Sequence, residues 1–295
     1  MRLASFDGRV GVVQDGTITD ITPMIGGTGG HGLSAMRRLI AAWPDVGAAR
    51  LDLAGAPVSR LEDTRLSAPV PDPSKIVAAP VNYRDHQSEM NQDTHVAALG
   101  FFLKAPSSVL RPGGSVDLPY SDRRFDQEGE LGVVIGRRAR RVGAEDALDH
   151  VFGYTGLLDI TMRGGEDRST RKSFETFTPT GPWIVTAGEF GRPDDVDLRC
   201  WVNGQLRQQA NTRDLIWSVA QLISYASWVT TLEPGDIVAT GTPAGVGPLH
   251  AGDTIELELA RLGQRLRVDV TSEHPVPSHT EGKGRGPVPP APPAP

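Results

Sequence analysis

Glu128 and Glu130 stand two residues apart in the segment FDQEGELGVVIG. On a β-strand, side chains two apart project from the same face. The apolar run 131–135 that follows predicts a strand entering a core. Carboxylates held side by side near a core repel each other, and each has its pKa raised unless a cation joins them. A hard divalent cation such as Mg²⁺ or Ca²⁺, which prefers oxygen ligands, is the usual partner. Asp159 ends another apolar strand, GYTGLLD, and supplies a third carboxylate. From residue types and spacing alone two readings stay open: a metal site, or a solvated strand edge with Asp159 in a turn.

Two further groupings could do chemistry. His86 and Glu89 in NYRDHQSEM are spaced i, i+3 and share a helix face. Glu89 can orient the imidazole, which then serves as a general base on water near neutral pH. Taken alone, the pair also fits a solvent-facing helix; the polar segment also fits a lid that orders on substrate binding. In LEPGDIVATGTPAGVG, glycines 241, 245 and 247 permit tight turns with exposed N–H groups. Such a loop can hold a carboxylate, with the Thr242 hydroxyl as an added donor.

The elements that must position these groups are mostly strands. Residues 3–6, 9–13 and 17–21 read as a β-meander, separated by Asp7-Gly8 and Asp15-Gly16, the dipeptide of tight hairpins. Leu33, Met36, Leu39, Ile40 and Trp43 recur at helical spacing, and Pro44 is expected to stop that helix. The Pro-rich stretch 68–73 predicts a boundary. Beyond it, 76–79, 131–135 and 154–158 read as apolar strands, and 255–259 with 266–270 as a terminal hairpin around Gly263. Leu215, Ile216, Val219, Leu222, Ile223 and Ala226 mark an amphipathic helix, capped by Thr212 or Asp214. From His274 the chain turns polar and then Pro/Gly-rich, a composition expected to be disordered. The expected organisation is a small N-terminal α+β domain (1–70), a mainly β catalytic domain (71–273) and a tail (274–295).

Composition narrows the classes. Of 295 residues, 38% are hydrophobic and 22% charged, as in a globular protein, and the formal net charge of -6 argues against a general nucleic-acid binder. A membrane-spanning helix needs about 20 apolar residues, far more than the run 131–135. Asp7 interrupts the N-terminus before a signal-peptide core can form. The single cysteine, Cys200, sits in the strand-like DLRCWVNG and reads as a packed core thiol. These features place the expectation in the cytoplasm. The segment 27–32, GTGGHG, matches a dinucleotide-binding pattern, but no βαβ unit surrounds it. Walker A, G-x-S-x-G, H-E-x-x-H and C-x-x-C motifs do not occur.

Seven stretches in order, KIVAAPVNYRDH, FFLKAPSSV, FDQEGELGVVIG, GYTGLLDITMR, RKSFETFTPTGPWIVT, VNGQLRQQANT and LEPGDIVATGTPAGVG, resemble the fumarylacetoacetate hydrolase family across 75–270. The resemblance implies a twisted β-roll catalytic domain, usually dimeric, with a Mg²⁺ or Mn²⁺ site. Its metal carboxylates fall on Glu128, Glu130 and Asp159, its lid dyad on His86 and Glu89, and its substrate lysine on Lys172. Tyr83, Arg163, Glu166 and Thr242 fall on substrate-binding positions, with one departure: Glu166 stands where many relatives carry glutamine. The N-terminal region resembles the small appended domain of longer bacterial members. The implied activity is metal-dependent hydrolysis of a C–C bond in an acylpyruvate or similar 1,3-diketo acid from catabolism. An isomerase, or a decarboxylase of an oxaloacetate-like β-keto acid, is the alternative.

Overall fold

The computed structural model describes residues 1–25, 32–48 and 51–290. β1 (Arg2–Phe6), β2 (Arg9–Gln14) and β3 (Thr17–Asp20) form the expected meander. At its two turns φ is 45° and 75° for Asp7 and Gly8, and 48° and 74° for Asp15 and Gly16. Positive φ at both central residues is the type I′ turn, whose twist matches the flanking strands. It fixes the registers Phe6↔Arg9 and Gln14↔Thr17. α1 (Ala35–Val46) follows, with Ser34 accepting from the Arg37 N–H at its start. Pro44, expected to end this helix, lies inside its last turn. There it forfeits only one bond, to the Ile40 carbonyl, and the turn closes with Gly47 N–H donating to the Trp43 carbonyl at 2.9 Å. The GTGGHG segment lies outside the described residues except for Gly32.

The chain then runs through β4 (Val58–Arg60), β5 (Ile76–Ala78), α2 (Arg84–Glu89), α3 (Val96–Leu99), β6 (Phe102–Lys104), β7 (Val109–Leu110) and β8 (Ser115–Asp117). Next come β9 (Phe125–Gln127), β10 (Gly129–Ile135), β11 (Val151–Leu158), β12 (Thr161–Met162), α4 (Arg168–Arg171), β13 (Thr178–Thr186) and α5 (Ala187–Phe190). The remainder is β14 (Asp197–Val202), β15 (Gln205–Asn211), α6 (Val219–Val229), β16 (Ile237–Ala239), β17 (Gly247–Pro248), β18 (Thr254–Leu259) and β19 (Leu266–Thr271). Eleven strands form one sheet in the order β4-β3-β2-β1-β13-β11-β10-β16-β5-β6, with β7 beside β13. A five-stranded sheet, β15-β14-β18-β19-β8, packs against it, and β12-β9-β17 form a third. The class is mixed and mainly β, as the sequence implies.

The meander continues the central sheet, because β1 pairs with β13. β10 is buried along its whole length, with both faces covered. Leu131, Val133 and Ile135 point into a core shared with Leu198, Cys200, Leu257 and Val268 of the five-stranded sheet. Val134 points the other way, into a core shared with Leu3, Val10, Met36, Leu39 and Ile40. Two expected details change. α6 begins at Val219, four residues later than the apolar spacing suggested, because Ser218 and Gln221 form a capping box there. Residues 274–290, expected to be structureless, make specific contacts: Val276 pairs with Tyr120, Ser278 N–H donates to Asp122 at 2.8 Å, and Gly165 N–H donates to the Gly282 carbonyl at 3.0 Å. Composition misses these bonds because their partners come from residues 120–166, not from the segment itself.

The sheet brings distant segments to one edge. β10 runs antiparallel to β11 and β16, with Gly129↔Leu158 and Gly132↔Ala239 opposed. β16 is parallel to β5, with Ala239↔Ala78. The start of β10 and the ends of β11, β16 and β5 therefore meet.

Candidate active site

Glu128, Glu130 and Asp159 converge at that edge. One carboxylate oxygen from each lies within 4.8 Å of the others, and all three residues are buried. The Asp159 N–H donates to the Glu128 carbonyl at 2.8 Å, locking the end of β11 to the approach of β10. Lys172, at the C-terminus of α4, donates to Glu128 Oε2 at 2.7 Å and Asp159 Oδ2 at 2.5 Å. Lys104 pairs with the other Asp159 oxygen and donates to the Phe177 carbonyl at 2.9 Å. Arg163 donates to Asp126 at 2.5 Å and Glu128 at 2.8 Å.

The two glutamates are treated differently. Burial works to raise the Glu128 pKa, but Lys172 and Arg163 outweigh it and hold the group well below the usual carboxylate range. Glu130 is pushed up, by burial first and then by the charge of Asp159, against Lys172 and the Gly241 N–H that donates to it at 2.7 Å. Among the described residues no lysine or arginine forms an ion pair with Glu130. A buried carboxylate without a paired cation is costly, and a dication bound by all three groups removes that cost. The spacing fits such an ion. At metal–oxygen distances of about 2.1 Å for Mg²⁺ and about 2.4 Å for Ca²⁺, two ligand oxygens stand no more than ~4–5 Å apart. The donor set is all oxygen, as a hard cation requires.

The glycine loop orients this cluster. Gly245 has φ 97°, and a Cβ there would stand 1.9 Å from the Arg207 carbonyl oxygen, so only glycine fits. Its N–H donates to Glu89 Oε1 at 2.8 Å, and the Gly247 N–H donates to Gln127 at 3.2 Å. These donors, together with Gly241, hold the protein's own side chains, where the sequence suggested they would receive a ligand carboxylate. Thr242 is similarly committed: its hydroxyl donates to the Gly129 carbonyl at 3.0 Å and accepts from Gln208 at 2.7 Å. His86 and Glu89 lie on α2 as expected, with Nδ1 and Oε2 2.8 Å apart. Asn82 ties the chain before α2 to the loop after β16, donating to the carbonyls of Thr240 and Trp217 at 2.8 and 2.9 Å.

A cavity of about 40 Å³ opens beside the carboxylates, lined among others by His86, Glu128, Glu130, Lys172 and Thr242. Pro287, from the C-terminal segment, closes one wall. The structure thus brings together all three acidic residues, His86, Lys172, Arg163 and Thr242. Tyr83 does not line the cavity; it is buried with its hydroxyl unpartnered, and burial followed by the Glu130 charge holds it protonated. Glu166 also lies off the cavity, bonded to Arg123 at 2.6 Å and to Thr280 of the C-terminal segment. A larger surface groove, about 790 Å³, lies elsewhere, between residues 15–17 and 111–113. Cys200 is a buried core thiol, and burial pushes its pKa up to about 12.

Sequence reading passed over Lys104, Asp126, Asn82, Gln208 and Arg171. Lysine and arginine usually lie at the surface, which is why Lys104 and Arg171 drew no notice. The available signal was alternation: Phe102 and Lys104 are buried on the same side of β6, with Leu103 between them exposed.

A family model for the fumarylacetoacetate (FAA) hydrolase C-terminal domain matches residues 75–271. A maleylpyruvate hydrolase of Aquipseudomonas alcaligenes is 45% identical over 219 residues, 70% of this chain and 76% of that protein. An oxaloacetate tautomerase of Bacillus subtilis is 39% identical over 226 residues, 72% of this chain and 75% of that one. The crystal structure of maleylpyruvate hydrolase from Sphingobium sp. SYK-6, in complex with manganese(II) and pyruvate, superposes with a TM-score of 0.82 at 43% identity, covering 92% of this chain and 99% of that one. The chain belongs to the fumarylacetoacetate hydrolase family. Within it, the enzyme is of the acylpyruvate hydrolase type, and its acidic cluster has the oxygen donors and spacing that could hold a divalent metal.

Proposed function

We propose that the enzyme hydrolyses the C–C bond of an acylpyruvate, releasing pyruvate and a carboxylic acid, with Mg²⁺ or Mn²⁺ held by Glu128, Glu130 and Asp159. The observation that carries this reading is the convergence of three buried carboxylates beside a histidine hydrogen-bonded to a glutamate. A divalent ion held by these three residues would supply Lewis-acid polarisation of a bound keto acid. Glu89, bonded to Nδ1 of His86, leaves Nε2 with the lone pair, so Nε2 takes the proton from water as the water attacks the distal carbonyl. The bond from that carbonyl to the pyruvyl methylene breaks, and the proton ends on the methylene carbon. Lys172, fixed between Glu128 and Asp159, offsets the charge of the departing enolate. Arg163 holds Glu128 from behind, and Thr242 holds the Gly129 backbone.

A pocket of about 40 Å³ is well below the ~300 Å³ or more of ligand sites, so a wall must move for substrate to enter. The mainly β body 71–273 is assigned as the catalytic domain, with 1–70 as an appended domain. A homodimer fits the exposed Trp228 and Val229 on α6. Among the described residues no helix is long and apolar enough to cross a membrane, and the cytoplasm is the proposed compartment. The test is acylpyruvate hydrolysis, followed by ultraviolet absorbance, before and after chelation and Mg²⁺ re-addition. A rate indifferent to chelation, or no cleavage of any acylpyruvate tried, defeats the reading. Similarity to the oxaloacetate tautomerase favours keto–enol exchange as the second reading. No water attacks in a β-keto acid decarboxylation, so His86→Ala spares that reaction on oxaloacetate more than it spares acylpyruvate cleavage; keto–enol exchange still needs a base and is told apart by a change in oxaloacetate enol absorbance without loss of CO₂.

A further inference from the structure

Residues 274–290 lie beyond the stretch matched by the family domain, 75–271, yet they return to the active site. Pro287 forms a wall of the cavity that Glu128, Glu130 and Lys172 also line. The segment is moored on both sides of that wall. Ser278 N–H donates to Asp122 at 2.8 Å. Thr280 accepts from Arg123 at 3.1 Å and donates to Glu166. The Gly282 carbonyl accepts from Gly165 N–H at 3.0 Å, and the Pro289 carbonyl accepts from Arg124 at 3.1 Å. Gly286, with φ 81°, presses backbone on backbone: a Cβ there would stand 2.6 Å from the Gly164 carbonyl oxygen. These moorings adjoin the pocket's own cations. Gly164, Gly165 and Glu166 lie between Arg163 and Arg168, which both line the cavity. Arg124 also pairs with Asp126, which accepts from Arg163, the residue that holds Glu128.

The pocket walls differ in how firmly they are held. The wall before α2 is fixed by Asn82, whose amide donates to the Thr240 and Trp217 carbonyls and accepts from Trp217 N–H at 2.8 Å. Phe102 and Glu130 stand on strands of the eleven-stranded sheet. Of residues 274–290, by contrast, only Pro289 is buried. A segment held by exposed hydrogen bonds, with little apolar surface buried, opens at low cost. We propose that residues 278–289 form an autoinhibitory strap: while it is seated, Pro287 roofs the pocket and excludes the keto-acid substrate, and the strap must lift before substrate enters. Binding then draws on the open fraction alone, so the seated strap weakens apparent affinity by that fraction. The proposal stands whichever reaction the site performs.

The test locks and loosens the strap in the full chain. Cβ atoms placed on Gly165 and Arg285 stand 2.9 Å apart, short of the ~3.5–4.5 Å of a disulfide by less than ~2 Å, a shift that an exposed segment absorbs. Gly165→Cys with Arg285→Cys is oxidised by oxidised glutathione and reopened by dithiothreitol; Cys200 is buried and stays out of the exchange. The readout is carbethoxylation of His86 by diethyl pyrocarbonate, followed by mass spectrometry, beside steady-state acylpyruvate hydrolysis with Mg²⁺. The oxidised form is expected to label His86 and to turn over substrate at low concentration about tenfold more slowly than the reduced form. Equal labelling in the two forms overturns the proposal. Gly286→Ala, which unseats the strap, is expected to speed labelling and lower KM about three- to tenfold, with kcat within about twofold. A raised KM would make the segment a lid that helps hold substrate, and would also overturn it. If neither form cleaves any acylpyruvate, the reaction reading falls, and His86 labelling alone decides the strap.

Discussion

The two ends of the eleven-stranded sheet are built on different chemistry. At the meander end, β1–β3 and α1 bury Leu3, Val10, Met36, Leu39 and Ile40, and the turns are satisfied by their own backbone. In the half of the sheet toward its β6 end, where the start of β10 meets the ends of β11, β16 and β5, the buried side chains include Asp126, Glu128, Glu130, Asp159, Lys104, Arg163 and Lys172. Apolar packing stabilises directly. A buried charge network roughly balances desolvation against pairing, and it is costly wherever a partner is missing. The first end should therefore control stability with little effect on turnover, and the second turnover with little effect on stability.

The largest effect that would break this contrast is at the acidic cluster. Asp159→Asn is expected to lower kcat by at least ~10³, measured by steady-state hydrolysis, while circular dichroism stays native. Next, His86→Ala is expected to lower kcat by about 10²–10⁴ with Mn²⁺ affinity unchanged by calorimetry; a lost metal site would make the histidine a ligand rather than a base. At the meander end, Leu39→Ala should cost about 2–5 kcal/mol in denaturant unfolding and leave kcat within twofold. A comparable loss of turnover would mean that the two ends are coupled. The smallest effect concerns Glu166. Burial works to raise its pKa, but bonds from Arg123 and Thr280 outweigh it and bring the group down to about 2. A depressed carboxylate contributes stability above its unfolded pKa and loses it as pH falls toward the folded value. Acidification from about pH 4.5 toward 2 should thus loosen residues 278–290, seen as faster proteolysis at Lys283 and Arg285, and Glu166→Gln should loosen them at neutral pH.

The same contrast explains what could be read from the residues. Asp-Gly at 7–8 and 15–16 allows essentially one hairpin geometry, so the meander was legible, as was the terminal hairpin around Gly263. Asn203-Gly204, with φ of 53° and 76°, carried the same signal for β14–β15 and was passed over. Glu128, Glu130 and Asp159 were legible because two carboxylates at strand spacing precede an apolar run. Arg171 and Lys104 were not, since nothing local tells a buried cation from an exposed one. Glu166 was misdirected for a related reason. Its partner Thr280 lies 114 residues away, in a segment whose composition suggests disorder.

The most direct test of the central claim is Mn²⁺ binding to the metal-stripped protein and to its Glu130→Gln variant, followed by electron paramagnetic resonance. One tight ion per chain in the wild type, with affinity reduced at least tenfold in a variant whose unfolding temperature is equal or higher, is the expected result. Equal Mn²⁺ affinity in both proteins would contradict a cluster in which Glu128, Glu130 and Asp159 share one cation.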